Sequence, residues 1–62
     1  MKRYLIVDSN DNVYGLYNTL AECYTKISKL SRFKTYHILI EEKLPFGYEY
    51  RYMNGRKHSF SA

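Results

Sequence analysis

Cys23 and His37 are the only residues of the chain that could pair as a nucleophile and its base. A working thiolate needs a neighbour that lowers its pKa and a third group that orients the base. Neither can be identified near Cys23. The residue falls instead on the run Leu20, Cys23, Tyr24, Ile27 and Leu30, spaced i, i+3, i+4, i+7 and i+10, the apolar stripe of a helix. A free cysteine in such a stripe behaves as a small buried hydrophobe. Asp8-x-Asn10-x-Asn12 has the opening ligand spacing of a calcium-binding loop, but Val13 stands where that loop needs glycine and Thr19 where it needs a bidentate glutamate. A polar turn accounts for these residues. Glu41 and Glu42 are adjacent in a strand pattern, so they point to opposite faces and cannot act together on one atom. The three glycines, Gly15, Gly47 and Gly55, are scattered, and no glycine-rich phosphate loop exists. The expectation is a protein that is not an enzyme, with no cofactor and no metal.

What remains is basic and aromatic. Lys26, Lys29 and Arg32 recur every three residues along the helix pattern, with Lys34 beyond, while Arg51, Arg56, Lys57 and His58 interleave with Tyr50, Tyr52 and Phe60. Cations attract phosphates, and flat rings stack on bases. The formal net charge is +4 and the pI about 9.3, which suits an anionic partner and argues against an acidic mimic of DNA. Eight tyrosines and three phenylalanines with no tryptophan supply rings suited to sheets and interfaces alike. The candidate ligand-binding residues are therefore Tyr50, Arg51, Tyr52, Arg56, Lys57 and His58, together with Lys26, Lys29 and Arg32. Each group has a plainer role as well. Helix lysines complement the macrodipole, and a tyrosine row packs a sheet or a seam between two copies.

These residues need elements to hold them. Lys2 to Val7 reads as a strand, Asp8 to Asn12 as a turn and Val13 to Tyr17 as a second strand, making a hairpin. Thr19-Leu20-Ala21-Glu22 fits a capping box, opening a helix over about Leu20 to Ser31 with Glu22 in its first turn. Thr35 to Glu42, with Ile38, Leu39 and Ile40 apolar on both faces, reads as an interior strand. Leu44-Pro45-Phe46-Gly47 is a turn. Tyr48 to Met53 alternates, with three tyrosines on one face and Glu49, Arg51 and Met53 on the other. Asn54-Gly55 signals a two-residue hairpin. A last strand over Arg56 to Phe60 would set Met53 against Arg56, Tyr52 against Lys57 and Arg51 against His58. The alternative is a frayed basic tail. The fold class is α+β, a small antiparallel sheet of four or five strands with one helix on one face, ββαββ, or ββαβββ if the tail pairs. One helix covers one face only, so the other must be polar or be covered by a second copy or a ligand.

Sixty-two residues make one domain. A core of this size supplies only about 3–5 kcal/mol, and one cysteine with two histidines forms neither a disulfide nor a structural zinc set. Self-association, as a dimer or higher homo-oligomer, is the expected source of further stability. The apolar run Tyr4 to Val7 is too short for a signal peptide or a membrane span. A cytoplasmic location and no membrane partner are expected.

The opening Lys2-Arg3, Tyr4 to Asp8, the polar turn, Val13 to Tyr17 and the capped start Thr19 to Glu22 together resemble the short accessory proteins encoded by bacteriophages. These often consist of a hairpin, a helix and another hairpin. The likeness spans about half the chain and includes no diagnostic motif. It implies a viral, non-enzymatic protein acting in the host cytoplasm by occupying a nucleic acid, a nucleotide signal or a host protein. The leading reading is a binding protein that holds a phosphate-bearing ligand through basic and tyrosine side chains, by sequestration in a homo-oligomer. The other is a protein–protein inhibitor or adaptor docking a host protein. A cysteine-dependent enzyme is the third.

Overall fold

Strand alternation decides which residues meet. In β1 (Lys2–Asp8), Tyr4, Ile6 and Asp8 share one face while Arg3, Leu5 and Val7 share the other. The computed structural model describes residues 2–61. It adds β2 (Val13–Tyr17), α1 (Leu20–Ser28), β3 (Tyr36–Leu44) and β4 (Gly47–Tyr52). The strands form one sheet in the order β2-β1-β3-β4 with every pairing antiparallel. This is the ββαββ form of the expected α+β class, and β3 is interior as its apolar centre requires.

The β1–β2 hairpin is built around one carboxylate. Asp8 Oδ1 accepts from the amides of Asn10 at 2.8 Å and Asn12 at 3.0 Å. Its Oδ2 accepts from the Asn12 side chain at 2.9 Å and the Tyr14 hydroxyl at 2.8 Å. The Asn12 side chain foremost, with the other donors, holds this carboxyl well below the usual carboxylate range. The register slips between Ile6 and Val7, and the Tyr14 ring meets Tyr36 edge-on at 5.3 Å. Gly15 follows with φ +155°, and Tyr17 lies over it so closely that a β-carbon there would stand 2.6 Å from the Tyr17 hydroxyl. Only glycine fits.

The capping box forms as its spacing predicts. Thr19 Oγ1 accepts from the Glu22 amide at 3.2 Å, and Glu22 Oε2 accepts from the amides of Asn18 and Thr19 at 3.0 and 3.2 Å. The helix stops at Ser28, three residues before the expected end. There the amides of Lys29 and Leu30 turn back to Lys26 and Ile27, three residues behind, tightening the last turn. Its stripe buries Cys23 and Ile27 against Ile6, Tyr36 and Ile38, with Tyr4, Tyr17, Leu20, Leu30 and Phe60 packed around them.

The expected fifth strand is not there. Asn54 and Gly55 do take positive φ, and the Arg56 amide donates to the Met53 carbonyl at 3.2 Å, so Met53 meets Arg56 as the turn signal implies. Beyond it the chain leaves β4, and Tyr52–Lys57 and Arg51–His58 do not pair. Phe60 bonds instead with Tyr36, N–H to carbonyl in both directions at 2.8 Å. The reason is non-local. β4 pairs β3 only from Leu39 to Leu44, so the edge beside buried Tyr36 needs a partner, and Phe60 also sets its ring 5.7 Å from Tyr24. The tail is therefore neither a strand nor frayed. No described helix is long and apolar enough to cross a membrane.

Candidate functional site

Because directly opposed residues of an antiparallel pair share a face, the register divides the sheet. Tyr4, Ile6, Tyr36 and Ile38 lie under the helix, and Ile40, Glu42, Glu49 and Arg51 continue the same face beyond it, Glu49 and Arg51 being exposed. The opposite face carries Arg3, Leu5 and Val7 of β1, His37, Leu39, Glu41 and Lys43 of β3, and Tyr48, Tyr50 and Tyr52 of β4. The helix does not cover it, and its Val7–His37 end is buried, where His37 meets the C-terminal segment. The tyrosine row is thus on the open face.

The open face is graded. Its middle row is apolar, with Leu16, Leu5, Leu39 and Tyr52 side by side across the four strands. The row towards one end is polar: Arg3, Glu41 and Tyr50. Glu41 Oε1 accepts from Arg3 Nε at 2.9 Å and Nη2 at 2.6 Å, while its Oε2 accepts from the Tyr50 hydroxyl at 2.7 Å. Tyr50 first, then Arg3, hold the Glu41 carboxyl below its ordinary value, and the same contact raises the Tyr50 hydroxyl. Glu41 is buried rather than a solvated edge residue, and both of its oxygens are engaged, one by Arg3 and one by Tyr50. Beside this row, Arg3, Asn18, Glu41, Lys43 and Tyr48 line a depression of about 340 Å³, with the Tyr48 and Tyr50 rings half exposed. At the far end, His37 Nδ1 donates to the His58 carbonyl at 2.8 Å, so the exposed segment Arg56–His58 borders the face there. The His37 ring stands 6.5 Å from Tyr52.

The candidate residues therefore separate into three places. Tyr50 and Tyr52 are on the open face, with Arg56, Lys57 and His58 at its rim. Arg51 is on the helix side of the sheet, paired with Glu42 at 3.2 Å. Lys26 and Lys29 flank the helix, and the exposed Arg32 follows it. Arg3, Asn18, Lys43 and Tyr48 join the site without standing out in the sequence. Of these, only Tyr48 carries a signal, as the first ring of the alternating row.

Catalysis by Cys23 and His37 finds no geometry. Cys23 is fully buried under the helix, its thiol directed at the Tyr4 carbonyl and pushed by burial up to about 11. His37 is on the other side of the sheet. Among the described residues, no three His, Cys, Asp or Glu side chains are grouped to hold a metal ion. Comparison with protein families, with curated proteins and with solved structures finds no match to this chain.

Proposed function

We propose that this protein is a non-catalytic binding module whose open sheet face holds a phosphate-bearing ligand with a base, a nucleotide or a nucleic acid. The observation that carries this reading is the grouping of half-exposed Tyr48 with Arg3 and Lys43 around one depression, with half-exposed Tyr50 beside it, bonded to Glu41 of its wall. Bases stack on the rings, and the guanidinium and ammonium meet phosphate. Arg56 and Lys57 offer further cations at the far rim, beyond Tyr52. Glu41 keeps Arg3 and Tyr50 in place at no conformational cost at the moment of binding. In the setting that the hairpin–helix–hairpin likeness implies, a viral protein would act in host cytoplasm by sequestering such a ligand, and a second copy would share the cover of the face.

A protein docking on this face is the second reading, favoured by the apolar band of Leu16, Leu5 and Leu39. Native mass spectrometry with absorbance at 260 and 280 nm, followed by titration with nucleotides and oligonucleotides at low salt, tests the proposal. Carried-over mass that absorbs at 260 nm, or a saturable isotherm, supports it. A clean apo species with flat isotherms for both ligand types overturns it in favour of a protein partner. The same spectrum reports the subunit count.

A further inference from the structure

The depression on the open face does not end at the sheet. Asn18, which lines it, is the first residue after β2, and its amide donates to Glu22 Oε2 at 3.0 Å. Glu22 in turn lines a second hollow, of about 490 Å³, on the other side of this turn. Tyr17, Ala21, Thr25, Lys26 and Lys29 form the rest of its wall. Residues 21, 22, 25, 26 and 29 lie on one flank of the helix, so the hollow runs along that flank beside the edge strand β2.

Its chemistry repeats that of the first. Tyr17 supplies a ring and Lys26 and Lys29 two ammonium groups, neither of which is in an ion pair among the described residues. The one acidic neighbour, Glu22, has its carboxylate bound to the amides of Asn18 and Thr19. Two ring-and-cation hollows thus abut at the β2–α1 turn, one on each side of the sheet edge.

Resting on the proposed function, we infer that the ligand is a single-stranded nucleic acid, not a mononucleotide. It runs from Tyr48 and Tyr50 past Arg3 and Asn18, around the β2 edge, and along Tyr17, Lys26 and Lys29. A path over two hollows matches a site of about four nucleotides or more. It also demands a strand flexible enough to turn the edge, which a duplex is not.

Titrations of the wild type with a mononucleotide, with single strands of two to eight nucleotides and with an eight-base-pair duplex test this, beside the double variant Lys26→Gln/Lys29→Gln. Glutamine keeps helix propensity, and circular dichroism checks the fold. The expected result is affinity that rises with length to about four nucleotides or beyond. The variant should bind the octamer at least tenfold more weakly than the wild type does. Its slope of log K against log salt should be shallower by about 1.4, which is about 0.7 for each of two phosphates left without its lysine. Equal affinity for mononucleotide and octamer, equal affinity for duplex and single strand, or an unchanged salt slope in the variant overturns the extended path and leaves the open-face site standing. Absence of binding by every ligand overturns both.

Discussion

Replacing Tyr48 by alanine separates a binding role for the tyrosine row from a packing role. Tyr48 sits on the edge strand β4 with 53 % of its surface exposed, and its hydroxyl has no hydrogen-bond partner among the described residues. Its loss removes nothing from the core under the helix. The expected cost in stability is that of an exposed strand position, within about 1 kcal/mol. One base stacked on the ring is worth about 1–3 kcal/mol, so affinity for a nucleotide-bearing ligand should fall roughly five- to 150-fold. Tyr48→Phe keeps the ring and should bind within about twofold of wild type. Fluorescence anisotropy with a labelled oligonucleotide at low salt reads the affinity, and thermal melting by circular dichroism reads the stability. If Tyr48→Ala binds within twofold of wild type while its melting is unchanged, the ring does not stack on the ligand and the reasoning fails.

Three further outcomes test the fold beneath the site. Ile38→Ala empties a position that is 2 % exposed and should cost about 2–5 kcal/mol. For a domain this small, that should leave much of the chain unfolded at 25 °C by circular dichroism. Thr19→Ala removes the helix cap seen at the Glu22 amide, and should cost about 1 kcal/mol and lower the melting temperature by about 4–8 °C. The Asp8 carboxyl has a folded pKa below its unfolded value of about 3.9. Its contribution is therefore complete well above pH 4 and is lost as pH falls from there towards the lower folded value. Asp8→Asn should flatten this acid limb in melts between pH 5 and pH 2, and an unchanged limb would assign the acid sensitivity elsewhere.

Local signals in the chain are reliable where local chemistry decides. The Thr19–Glu22 box, the Asx turn after Asp8 and the Asn54-Gly55 turn all form where their residues stand. Alternation likewise puts Tyr48, Tyr50 and Tyr52 on one face, yet it does not say which. That depends on Tyr50 standing opposite Glu41, a pairing set by the β3–β4 register. In sequence, Arg3 is half of an N-terminal basic pair, and Glu41 half of an acidic pair of the kind that solvent usually covers. Thirty-eight residues separate them, and only the β1–β3 register brings them together. The last strand fails to form for an equally non-local reason. The turn at Asn54-Gly55 is intact, but the open edge beside Tyr36 and the ring of Tyr24 hold Phe60 instead.

The most direct test of the binding face is a proton–nitrogen NMR titration of labelled protein with a single-stranded oligonucleotide at low salt. The account predicts saturable shifts at Arg3, Lys43, Tyr48 and Tyr50 on the open face, joined by Tyr17, Lys26 and Lys29 where the strand follows the extended path, with little change at the amides of the core residues Ile6 and Ile38. No shifts at saturating oligonucleotide, or shifts confined to Arg51 and the helix side of the sheet, would contradict it.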